Sequence, residues 1–207
     1  MMFSPDGRRL ISGSADTSAL VWDVAGRLET GRPRTIFLSP PEVERLWATL
    51  ASEDATAAYQ AIWELVAAPR QSVAFIKERL RPVPAVDSVR VTALIKDLDS
   101  DRFAVRAQAA RELVQLAEGA EPAMRKALTA SPTVEVRTRL EQVLEKLAAL
   151  TPSQLQTLRA LRVLEYIGTP PAQEVLELIA KGATGARLTR EAQASLQRLA
   201  QRNVGTP

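Results

Sequence analysis

Cysteine and histidine are both absent from the chain. Without cysteine there is no disulfide and no thiolate chemistry. Without histidine, His-based acid–base catalysis, Ser-His-Asp triads and most zinc sites are excluded. No apolar run approaches the roughly 20 residues needed to span a bilayer. The opening segment MMFSPDGRRL has neither the apolar core nor the cleavage pattern of a secretory leader. A cytoplasmic protein without membrane contact is therefore expected. Aromatic residues make up only 4% of the chain. A phosphate-binding glycine loop is missing as well, since Gly182-Ala-Thr-Gly185 lacks the Lys-Ser/Thr pair that would follow it.

What remains is an ordinary globular composition, 46% hydrophobic and 25% charged, in 207 residues, enough for one domain or two small ones. Ala, Leu, Arg and Glu dominate, a mixture that favours helices. The formal charge is only +3, and the 27 basic residues are interleaved with 24 acidic ones. A strong grip on nucleic acid would call for a larger or more clustered excess. The clearest helical signal is Leu98–Ala117. Phe103, Val105, Ala109, Ala110, Leu113, Leu116 and Ala117 recur close to the i, i+3, i+4, i+7 pattern of one buried face. Asp99, Ser100 and Asp101 precede it and are candidate acceptors for free N–H groups of the first turn.

Ahead of the helices, Pro5-Asp6-Gly7 is a turn signal, and Arg9–Ser14 and Ala19–Val24 read as two short strands. FSPDGRRLISGSAD…ALVWDVAG, within residues 1–26, resembles the last part of a WD40 repeat. Trp22-Asp23 stands at the family's signature dipeptide and Asp16 at its turn aspartate. The Gly-His pair that opens such a repeat is missing, and Thr17-Ser18 replace the frequent Gly-Thr. The resemblance implies a partial blade, and thus the C-terminal portion of a larger propeller protein. Arg34–Leu38 reads as the outer strand of that blade, ending at the Ser39-Pro40-Pro41 boundary. The expected division is 1–38 as the partial blade and 39–204 as an all-α domain.

Ser39, Asp54 and Asp87 are N-cap candidates, and Pro69, Pro82 and Pro84 separate elements. These signals predict helices at about 41–52, 54–67, 70–80 and 87–98. Trp47, Tyr59, Ile62, Trp63 and Val66 share helical spacing. They suit either a partner-binding groove or a packed inter-helix core, and the spacing favours the core. Farther on, Val105-Arg106 recurs as Val136-Arg137. Gly168 stands at a helix C-cap position before Pro170-Pro171, and Leu188–Leu199 opens a last helix in the same style.

LIKDLDSDRFAVRAQAARELVQL and VLEYIGTPPAQEVLELIAKG resemble bacterial HEAT-like repeats, over about half of the chain. The resemblance implies a mainly α fold of α-solenoid type, made of helical hairpins that stack only on their neighbours, behind the short N-terminal β segment. It also implies that Asp99 or Asp101, Arg106 and Arg137 bridge adjacent turns. The function it implies is a non-catalytic protein–protein interaction or scaffold module, with a protein partner, no cofactor, no metal and no small-molecule substrate. The carboxylates at helix starts are more simply caps than acid–base or Mg²⁺ groups. The alternative is a nucleic-acid-binding solenoid in which Arg102, Arg106, Arg137, Arg139, Arg159, Arg162, Arg187 and Arg190 line one ridge. The candidate binding residues are Arg102, Arg106, Arg137, Arg139, Arg159 and Arg162. Interleaved Glu135, Glu141, Glu145 and Glu165 count against that alternative, as does the scarcity of aromatics for base stacking in this half.

Overall fold

The computed structural model describes residues 1–4, 9–13, 19–23, 28–29, 32–33, 35–116, 119–130 and 132–204. It is mainly helical. Strands β1 (Met2–Phe3), β2 (Arg9–Gly13) and β3 (Ala19–Asp23) form an antiparallel sheet in the order β1-β2-β3. Leu10 is opposite Trp22 and Ile11 opposite Val21. The Trp22 indole N–H donates to the Ser12 hydroxyl at 2.8 Å. A second small ladder joins β4 (Leu28–Glu29) to β5 (Arg32–Pro33). Several expectations fall outside the described residues: the Pro5-Asp6-Gly7 turn, Ser14 and Val24 at the ends of the expected strands, the turn aspartate Asp16 with Thr17-Ser18, Ala117 on the expected buried helix face, and Arg34 at the start of the expected outer strand. The described remainder of that strand, Thr35–Leu38, is not one. The Ile36 N–H donates instead to the Ala67 carbonyl at 2.8 Å, and Leu38 is buried. The orphan carbonyls at the end of a helix offered a nearer partner than a sheet edge.

Ten helices follow among the described residues: α1 (Pro40–Thr49), α2 (Ala55–Ala67), α3 (Pro69–Arg79), α4 (Ser88–Asp97), α5 (Phe103–Leu116), α6 (Glu121–Thr129), α7 (Val134–Ala148), α8 (Pro152–Ile167), α9 (Pro170–Ala180) and α10 (Arg187–Val204). Among the described residues no helix is long and apolar enough to cross a membrane. The start signals act as the sequence suggests. The Glu42 carboxylate accepts from both the backbone N–H and the hydroxyl of Ser39, at 2.7 and 2.6 Å. Asp54 accepts from the N–H groups of Thr56 and Ala57, and Asp87 from that of Val89. Gly168, at φ 63°, follows α8 and donates its N–H to the Leu164 carbonyl.

The chain forms two compact units. One comprises the described residues among 1–80, 152–176 and 195–207; the other comprises those among 81–151 and 177–194. In the first, α1, α2 and α3 pack on one another, and α8 packs on all three. This long-range return is not the neighbour-only pattern that a strict row of hairpins would give. Trp63 is buried, stacked on Tyr166 with centroids 4.7 Å apart, while Trp47 meets Phe75 edge-on at 5.9 Å. In the second unit, α4 packs on α5 and α6 on α7, while α4 also packs on α6 and α5 on α7. Two helix pairs therefore lie layer on layer. Their shared core includes Leu98, Leu113, Met124 and Leu140, all fully buried. Among its members, Ala109 and Leu113 of α5 correspond at a spacing of 31 residues to Leu140 and Leu144 of α7.

Candidate functional site: the arginines and the groove between helices α5 and α7

The six candidate arginines do not all serve as exposed binding groups, and the reason lies in helix termini. The last turn of a helix leaves carbonyls without an intrahelical partner, and the helix dipole places partial negative charge there. Arginine, with five donors in a planar fork, suits such a place. In the first unit, Arg159 of α8 donates one terminal nitrogen to the carbonyls of Leu50 and Ser52, at 2.7 and 2.6 Å. Gln156, one turn earlier, donates to the Trp47 carbonyl at 2.8 Å. Together they cap the end of α1. Arg162 is exposed, its guanidinium 5.8 Å from the Tyr166 ring centre.

In the second unit, Arg106 donates to the carbonyls of Ser100 and Asp101, at 2.8 and 3.0 Å, and so closes the turn ahead of its own helix. Its Nε lies 3.9 Å from a Glu135 carboxylate oxygen. Arg139 pairs with that same oxygen and reaches the Leu98 carbonyl at 3.5 Å, the residue just past α4. Arg187 likewise donates to the Leu147 carbonyl near the end of α7, at 3.1 Å. Arg102 and Arg137 are exposed. Arg106 and Arg139 are thus brought together around Glu135. Arg137 is not part of that group, although its place after valine matches that of Arg106.

The turn aspartates divide in the same way. Asp99 does not cap its own helix. It accepts from the Thr133 hydroxyl, 34 residues later, at 2.9 Å. That hydroxyl also accepts from the Val136 N–H and so serves as the N-cap of α7. The N–H of Arg102 is met by Ser100 at 3.3 Å. Asp101 contributes its backbone carbonyl to Arg106.

Above these contacts, α5 and α7 border an open groove of about 500 Å³. Its apolar lining comes from Phe103, Ala107, Ala110 and Val114 of α5 and Val143 of α7. Arg106 and Arg139 line it, as do Arg111 from the α5 side and Lys146 from the α7 side. Among the described residues no carboxylate lines this groove; Glu135 belongs to an adjoining depression of about 460 Å³, with Val134 and Thr138. Phe103 and Val134, the first residues of α5 and α7, are 74% and 81% exposed. Away from the groove, Glu112 accepts from Gln108 and Arg90, and those hydrogen bonds hold its carboxyl below the usual range.

One polar cluster in the first unit went unrecognised in the sequence. Glu165, on α8, has a side chain with no exposed surface. It accepts from Ser195, from two nitrogens of Arg198 at 3.0 and 2.7 Å, and from Arg202 at 3.1 Å. Burial pushes its carboxyl up. The hydrogen bonds from Arg198 and Ser195, with the charges of Arg198 and Arg162, outweigh that push and hold it below the usual range. The available signal is an acid placed in the apolar stripe of Leu161 and Leu164, which demands a cationic partner. Among the described residues no group of three or more acidic side chains is arranged to hold a metal ion. Comparisons with family models, with curated proteins and with solved structures found no match to this chain.

Proposed function

We propose that this chain is a non-catalytic protein–protein interaction or scaffold element, built on HEAT-like helix pairs behind a WD40-blade-like β segment, and working in the cytoplasm. The observation that carries the reading is the agreement between sequence repeat and packing in residues 88–148. Helices α5 and α7 begin 31 residues apart and bury corresponding positions, and each belongs to a pair stacked on the other. A unit that packs through such a repeated face is the building block of solenoids, which bind through the side chains left outside. The α5–α7 layer has an outside of that kind, concave and mostly apolar.

The alternative of a nucleic-acid-binding solenoid draws less support. Four of its eight arginines, Arg106, Arg139, Arg159 and Arg187, are committed to backbone carbonyls, which leaves fewer cations for phosphates. The test is affinity capture with the full chain from cells that express it, quantified by mass spectrometry, beside a gel shift with duplex DNA. A stoichiometric protein partner and no salt-sensitive shift are expected. A shift that weakens steeply with salt, or turnover of a small substrate by the purified protein, would overturn the reading.

A further inference from the structure

We infer that the α5–α7 groove receives an acidic amphipathic helix from a partner protein. This rests on the interaction reading above and names the chemistry of the ligand. The length comes first. From Phe103 to Gln115 the groove follows α5 for about 18 Å, the rise of a little over three helical turns. A helix lying there meets it with apolar side chains at i, i+3 or i+4, and i+7. Small residues at Ala107 and Ala110 make room for such anchors, and Val114 and Val143 extend the apolar lining. Phe103, an exposed apolar side chain, carries the lining to the start of α5.

Charge selects among apolar helices. Arg111 and Lys146, both exposed, stand one on each helix, while the described residues of the groove lining include no carboxylate. Arg106 and Arg139 also line it, with Glu135 between them, so the cationic character is greatest around Arg111 and Lys146. A ligand that carries Asp or Glu beside its apolar stripe satisfies both features, and a basic helix is repelled. A phosphate backbone matches the cations but leaves the apolar lining uncovered. The groove therefore fits an acidic peptide better than a nucleic acid.

The experiment pans a phage-displayed random library of peptides about 16 residues long against the full chain. Binding of the enriched peptide is then measured by fluorescence anisotropy to the wild type, to R111E/K146E and to the milder R111Q/K146Q. Both residues are exposed, so circular dichroism should be unchanged. The expected result is a consensus of spaced Leu, Ile or Phe flanked by Asp and Glu. Its affinity should fall about tenfold or more in the charge-reversed chain, fall less in the neutral one, and weaken when Gln replaces its acids. Enriched peptides of another chemistry, or an acidic peptide indifferent to R111E/K146E, overturn the groove assignment and leave the interaction reading standing. Binding of a duplex DNA probe in place of any peptide overturns both. Failure to enrich any peptide overturns the groove assignment, and affinity capture of a partner by the full chain then decides the interaction reading separately.

Discussion

The Arg159 guanidinium reaches the carbonyl oxygen of Leu50, 109 residues earlier in the chain, at 2.7 Å. Leu50 is fully buried, so its carbonyl sits where water competes poorly. Arg159→Ala should lower stability by about 2–3 kcal/mol, because charge-assisted hydrogen bonds are lost and a buried acceptor is orphaned. Arg159→Lys should recover only part of this, since a point donor does not reproduce the fork. Urea unfolding of both variants checks it, and an unchanged midpoint for the alanine variant would contradict the capping role.

Glu165 makes stability depend on pH on the acid side. Its carboxyl in the folded protein lies below the ordinary value, so its contribution is fully present above the unfolded carboxyl pKa of about 4.3. The contribution is lost as pH falls through the folded value beneath that. Comparing the wild type with Glu165→Gln from pH 7 to pH 3 should show a gap in urea midpoint that holds above about pH 5 and closes below it. A gap of constant size over that range would show that the ionised carboxylate contributes nothing specific.

Leu113 and Arg102 test the assignment of faces in the helix pairs. Leu113 is fully buried and Arg102 is exposed. Leu113→Ala should cost about 2–5 kcal/mol, and Arg102→Ala should stay within about 0.5 kcal/mol. Equal effects on thermal or urea unfolding would contradict the assignment.

Gly168 holds a positive φ of 63°, and a Cβ built there would stand 3.3 Å from Leu199 Cδ2. Gly168→Ala should therefore cost about 1–2 kcal/mol from the backbone conformation. Gly168→Asn should cost less, as asparagine tolerates this region at helix ends. Melting temperatures of the two variants, compared side by side, decide it.

Signals that act within a few residues of themselves are legible in the sequence. The ends of α1, α2, α4 and α8 are marked in this way by Ser39, Asp54, Asp87 and Gly168. Helical period locates the centre of the α5 face, since Ala109 and Leu113 are buried, but Phe103, expected on that face, is 74% exposed because it opens the helix where no neighbour covers it. Contacts set by the far ends of the chain were not legible. Nothing near Arg159 in the sequence points to Leu50, and nothing near Glu165 points to Ser195, Arg198 and Arg202. Helix α6, nine residues long, was too short to declare itself through period. The Val-Arg repeat also misled in one detail. Arg106 finds the Ser100 and Asp101 carbonyls, but the turn before α7 carries Pro132-Thr133 where the earlier turn has Asp101-Arg102. The inward role there passed to Arg139, which reaches Leu98 from farther along the helix.

The dependence of α1–α3 on α8 has a consequence for how the protein is made. Synthesis runs from the N-terminus at about 5–20 residues per second. The first three helices thus leave the ribosome on the order of ten seconds before the element that covers them. During that interval the nascent chain offers Trp63 without Tyr166, the α8 ring that stacks on it, while the 88–148 segment can already close its own interior. Among the described helices, the first three to emerge are completed last, and they leave a chaperone most to shield.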